Sequence, residues 1–146
     1  MDIEQGLRDY LETKASVAYM ENELNQLYAK KDRTYDRPKE AGQDDTAQFH
    51  MVGLKRREDV LDARIARLTA KLEHKRYALR KLDALLSALD ERERFVARKF
   101  YIEHLTWRDV VSYYNMEMPS PREVDALKAV RKRMLNKIIR VQRNCS

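Results

Sequence analysis

Apolar residues recur at alternating steps of four and three from residue 54 onward. Leu54, Glu58, Leu61, Ile65, Leu68, Leu72, Lys75, Leu79, Leu82, Leu86 and Leu89 follow one heptad register without a slip, and nine of these eleven are Leu or Ile. Five heptads of this kind predict a coiled coil, roughly 50 Å long at 1.5 Å of rise per residue. Each Leu withdrawn from water contributes about 1.5–3 kcal/mol, so the stripe requires a cover. Either the helix before it in the chain folds back antiparallel over it, or the same helix of a second copy packs there.

The preceding segment, 3–31, carries a weaker stripe. Tyr10, Val17 and Leu24 recur every seven residues beside Leu7, Leu11, Ala18, Leu27 and Tyr28, and Lys14 and Glu21 interrupt the line. Residues 32–48, DRTYDRPKEAGQDDTAQ, hold Pro38 and Gly42 and keep no apolar period, which predicts an exposed, mobile loop. The first helix is shorter than the second and cannot cover all of its seam. The expectation is a helical hairpin that also self-associates, through Leu54, Leu61, Ile65, Leu68, Leu72, Leu79, Leu82 and Leu86. Lys75, at an a position, either fixes register or lets its stem snorkel outward.

After Leu89 the period changes. Asp90 is placed to cap a short helix with Glu91 and Glu93 in its first turn, and Phe95, Val96, Phe100 and Tyr101 give that segment an apolar face. Residues 102–105 then lead to two closely spaced helix starts. At the first, Thr106 caps, Asp109 stands three residues on, and Leu105 and Val110 form a hydrophobic staple. This helix is expected to last two turns, 106–114, with Asn115 in the left-handed conformation that ends it. At the second, Ser120 caps, Pro121 occupies the first helical position and Glu123 closes the box, starting a helix expected to run from 121 to 141. Val124, Leu127, Met134, Leu135, Ile138 and Val141 share one side of that last helix; Arg122, Asp125, Ala129, Lys132, Arg133, Asn136 and Arg140 share the other.

Charge sharpens the picture. Residues 1–50 carry 7 bases and 11 acids, net −4, whereas residues 122–143 carry 8 bases and 2 acids, net +6. A basic helix behind a short capped one is the arrangement of a helix-turn-helix, and its charge suits a polyanion. On that reading the base-reading residues are Arg122, Asp125, Ala126 and Ala129. Arg addresses guanine, Asp accepts from cytosine, and Ala lets the helix approach thymine methyls. The phosphate contacts are Thr106, Trp107, Arg108, Lys128, Lys132, Arg133 and Arg140. Trp107 is equally suited to a core position.

Other chemistry is thinly represented. Cys145 is the one cysteine, and the three histidines, His50, His74 and His104, have no ligand spacing, so no metal and no cofactor is expected. No Gly-rich phosphate loop or nucleophile–base pairing suggests an enzyme. No apolar run approaches the ~18 residues of a membrane span, and MDIEQGLRDY is too acidic for a signal peptide. The expectation is a cytoplasmic protein with no membrane partner and no small-molecule substrate.

The stretch LDERERFVARKFYIEHLTWRDVVSYYNM resembles the start of sigma-factor region 4, where a helix rich in acids and arginines precedes a supporting helix beginning Leu-Thr/Ser-aromatic. With a coiled coil in front of it, the layout is similar to the small phage late-gene transcription regulators of the RinA/ArpU type. The specific part of the likeness runs from Leu89 to about Met134. It implies an all-α chain in which a long antiparallel helical hairpin or coiled coil is followed by a three-helix, sigma-region-4-like helix-turn-helix domain. It implies a phage-encoded activator of late genes in the host cytoplasm, with 106–114 as support and 121–134 as reader, double-stranded DNA as ligand and RNA polymerase as a further partner. The chain departs from the pattern at 115–119, which has no Gly and is longer than the usual three to four residues.

The expected division is thus 1–89 for oligomerisation, as a homodimer or larger, and 90–146 for DNA. Two other functions use the same parts. One is a small terminase-like subunit that recognises DNA for packaging; the other is a coiled-coil adaptor between proteins.

Overall fold

The computed structural model describes residues 2–35 and 45–145, and the side chains of residues 2–33, 53 and 55–144. Every regular element is a helix: α1 (Ile3–Arg8), α2 (Tyr10–Tyr35), α3 (Asp45–Ser87), α4 (Glu91–Val96), a π-helical segment (Ala97–Ile102), α5 (Trp107–Glu117) and α6 (Val124–Cys145). Among the described residues there is no strand, and no helix is long and apolar enough to cross a membrane.

The expected first helix, 3–31, is interrupted at Asp9, which caps α1 with φ −89° and ψ 2°. Asp2 starts α1, its carboxylate accepting from the Glu4 and Gln5 N–H groups. Part of the expected loop at 32–48 is helical. Residues 32–35 complete α2 and 45–48 open α3, while the rest of that stretch, with Pro38 and Gly42, lies outside the described residues.

The chain forms two compact units, Ala15–Arg76 and Met1–Lys14 with Tyr77–Ser146. The expected boundary at 89/90 falls inside the second, because α1 and the end of α3 pack with the C-terminal helices. Within Ala15–Arg76, α2 and α3 run antiparallel. Lys31 pairs with Asp62 at 2.7 Å and Glu21 with Arg76 at 2.7 Å, so one number rises as the other falls. Val17 and Leu27 of α2 and Ile65 and Leu72 of α3 are buried. Leu11, Tyr28 and Ala18, expected beside that stripe, are exposed instead. Each lies one residue past a covered position, about 100° round the helix.

The heptad stripe is the covered face of α3. From Glu58 to Leu89 each of its positions is buried or half-buried, Lys75 included. Ile65, Leu72, Leu82 and Leu89 are buried within the single chain, whereas Leu61, Leu68, Leu79 and Leu86 are half-buried. The side chain of Leu54 lies outside the described ones.

The other unit has two apolar clusters. In the first, Ile3 and Leu7 of α1, Leu82 and Leu85 of α3, Ala97, Tyr101 and Ile102 of the π-helical segment and Met134 and Ile138 of α6 come together. Gly6 permits the close approach of α1 to α3, since a Cβ there would meet Leu82 Cδ2 at 3.3 Å. In the second, Phe95 and Val96 of α4, Val110 and Tyr114 of α5 and Leu127 and Val130 of α6 pack together. The wider π turn after α4 shifts the register of the residues that follow. Phe95 and Val96 thereby serve one cluster, Tyr101 and Ile102 the other, and half-buried Phe100 touches both.

Candidate nucleic-acid interface

The local start signals of α4 and α5 hold. Asp90 accepts from the Glu93 N–H at 2.8 Å while the Glu93 carboxylate accepts from the Asp90 N–H at 3.0 Å, a reciprocal capping box. Burial works to raise the Asp90 carboxyl, but the hydrogen bonds from Glu93 and the charges of Arg133 and Lys137 bring it below its ordinary value. Thr106 caps α5, its hydroxyl accepting from the Asp109 N–H at 3.4 Å. Val110 is buried and Leu105 packs beside it in the second cluster, as the staple requires.

Three details of the helix pair differ from expectation. Asn115 is not a left-handed terminator. It lies inside α5, which continues to Glu117 and ends at an extended Met118, and its side-chain oxygen accepts the Arg122 N–H at 2.8 Å. Tying the connection together in this way removes the need for a positive φ there; the one non-glycine residue with positive φ among those described is His104, at 57° before α5. Ser120, Pro121 and Glu123 do not open α6. Its first residue is Val124, and the Glu123 carbonyl takes the first helical bond, from the Leu127 N–H at 3.2 Å. The connection is therefore the six residues 118–123, and the reader expected at 121–141 is shifted to Val124–Cys145.

This shift leaves the faces of α6 as the periodicity placed them. Leu127, Met134 and Ile138 are buried, and Val124, Leu135 and Val141 are half-buried. Asp125, Lys128, Ala129, Lys132, Arg133, Asn136 and Arg140 are exposed, and their spacing of three and four aligns them on one side. The remaining expected contacts are placed differently. Arg122 precedes the helix and is half-buried, as is Ala126. Thr106 and Arg108 are exposed at the start of α5. The Trp107 ring is half-buried and stacked on Phe100, centroids 4.3 Å apart at 20°, so its side chain packs.

Not all of the positive charge on α6 faces outward, a division the sequence reading missed. Arg131 donates from Nε to the Tyr101 hydroxyl at 2.6 Å and from its terminal nitrogen to Glu4 Oε1 at 2.8 Å, and Tyr101 donates to the same Glu4 oxygen at 2.7 Å. Burial, first, and the Glu4 bond push the Tyr101 hydroxyl up to about 12. Lys137 lies 3.2 Å from Oε1 of Glu93, a residue only 1% exposed. A signal was present: Leu127, Arg131, Met134 and Ile138 are spaced four, three and four, which puts Arg131 among inward positions. Arg133 makes one long pair, 3.9 Å to Asp90, and is itself largely exposed.

No family model, curated protein or solved structure matches this chain.

Proposed function

We propose that this chain is a sequence-specific DNA-binding transcription regulator of the phage late-gene kind. In this reading α4, α5 and α6 form a sigma-region-4-like helix-turn-helix that binds promoter or operator DNA. The observation that carries it is the division of α6: one side packs into the two clusters, and the other exposes Lys128, Lys132, Arg133 and Arg140 around the small Ala129. A basic side with a small residue at its centre lets a helix sink into a major groove while its flanks meet phosphates. On α6, Lys128, Lys132, Arg133 and Arg140 supply phosphate contacts, joined by exposed Arg108 at the start of α5; Asp125 and Ala129, in the first turns, supply base contacts.

The long α3 supplies self-association, as a coiled coil between copies. The half-buried Leu61, Leu68, Leu79 and Leu86 are its contact residues, since Ile65, Leu72 and Leu82 are already buried in the single chain.

The test is binding to fragments of the source genome across a salt series. The four phosphate contacts of α6 contribute roughly −3.6 to the slope of log affinity on log salt, at about −0.9 per neutralised phosphate. Mapping the retained fragments separates promoters from a packaging site. Absence of binding at low salt to any fragment would end the proposal.

A further inference from the structure

Beside α6 lies a cleft of about 420 Å³, lined by Asp90, Glu91 and Arg92 at the start of α4, by Tyr114 and the 118–120 connection, and by Arg133. Tyr114 is only 1% exposed and its ring is held edge-on against Phe95, centroids 5.3 Å apart. Its hydroxyl has no hydrogen-bond partner among the described residues, yet it is not sealed off from solvent. Tyr114 is one of the residues that line the cleft. A phenol buried to this extent ordinarily finds a partner, so the lining of the cleft includes a residue with an unused donor.

Its other donors are Arg92, Ser120 and Arg133. Arg92 is exposed and makes no ion pair with a described residue, and Arg133 is held only by its 3.9 Å pair with Asp90. Two arginines, a serine and a tyrosine lining one cleft carry the kinds of donor that match the oxygens of a phosphate group. The lining also contains Asp90 and Glu91, which balance the two arginines. That balance weakens the attraction for a free anion. It disfavours much less a phosphate carried in on a strand already held by Lys128 and Lys132, whose effective concentration at the cleft is high. Arg133 belongs to both surfaces, so the cleft adjoins the exposed side of α6.

We infer that this cleft seats one backbone phosphate of the bound duplex, with Arg92, Arg133, Ser120 and Tyr114 as its donors. The inference rests on the DNA-binding reading and adds α4 and the 118–120 connection to the contact surface.

The test uses the full chain, with duplex fragments retained in the genomic selection, and compares wild type with Arg92→Gln, Tyr114→Phe and Lys132→Gln over a salt series. Arg92→Gln is expected to bind about tenfold more weakly, equally on all fragments, with the salt slope reduced by less than about 0.9, because Arg133 still faces the same phosphate. Tyr114→Phe, which keeps the ring and the fold, is expected to bind about threefold more weakly with the slope unchanged. If Lys132→Gln weakens binding while Arg92→Gln and Tyr114→Phe bind as wild type does, the cleft is not a phosphate seat and the DNA-binding reading stands. If wild type binds no duplex, the reading falls and the inference falls with it. A titration with inorganic phosphate alone completes the set. Shifts of the Tyr114 ring resonances at millimolar phosphate, absent from Arg92→Gln, would assign the cleft to a free anion and overturn delivery by DNA.

Discussion

Arg131 and Tyr101, thirty residues apart, share a hydrogen bond of 2.6 Å in which the guanidinium Nε donates to the phenol oxygen. The phenol in turn donates to Glu4 at 2.7 Å, and the guanidinium group lies 5.6 Å from the Phe100 ring centroid and 5.7 Å from that of Tyr101. One charged group of α6 is thereby fixed to α1 and to the π-helical segment. It is half-buried against these partners and withheld from the exposed basic side.

Replacing Tyr101 by Phe should therefore destabilise the fold without touching the proposed interface. Tyr101 is fully buried, and the change leaves Arg131 and Glu4 without their shared hydroxyl. The expected cost is about 1–2 kcal/mol, or a fall in Tm of roughly 2–8 °C in a chain of this size. Calorimetry with a parallel DNA-binding measurement checks both halves. A variant with unchanged Tm and weakened binding would contradict this assignment.

Glu4 makes the same contact sensitive to acid. The Tyr101 hydroxyl, first, and Arg131 favour its charged form, and together they outweigh the opposing effect of burial, so its carboxyl titrates below the ordinary value. A carboxyl with a lower pKa folded than unfolded contributes stability above the unfolded value, about 4.3. That contribution is lost as pH falls through the folded one. Glu4→Gln should thus be less stable than wild type near pH 7, and the difference should close as both are acidified toward pH 3. Denaturant unfolding at several pH values reads this directly.

The two kinds of leucine on α3 should respond differently. Leu72 is 1% exposed, so Leu72→Ala removes a filled site and should cost about 2–5 kcal/mol in any oligomeric state. Leu61 and Leu68 are half-buried, and Leu61→Ala with Leu68→Ala should chiefly weaken self-association. Sedimentation at several concentrations separates the outcomes. A double variant that stays associated as wild type does would remove these residues from the contact.

At the start of α5 the neighbours Trp107 and Arg108 should also separate. Trp107 stacks on Phe100, so Trp107→Ala should lower Tm by an amount matching roughly 3 kcal/mol. Arg108 is exposed, so Arg108→Ala should leave Tm in place and weaken duplex binding severalfold. Melting curves and binding isotherms on the same two variants test the pair.

What the sequence determined by itself was whatever depends on near neighbours. The covered side of α3, the two sides of α6, and the caps at Asp90 and Thr106 follow from spacings of three and four residues, and a helix turns those spacings into faces wherever it is placed. Tertiary structure decided the rest. Asn115 could have ended α5 in a left-handed turn; bonding to Arg122 seven residues on, it instead leaves the helix to run to Glu117. Ser120-Pro-Arg-Glu123 could have started α6 but became connection, because a local capping preference of about 1 kcal/mol is readily outweighed by the packing of the helices it joins. Arg131 and Lys137 count toward the net charge of 122–143 but have partners elsewhere in the chain. Glu4 and Glu93, 127 and 44 residues away in the chain, hold them inward, and no periodicity records a partner at such separations.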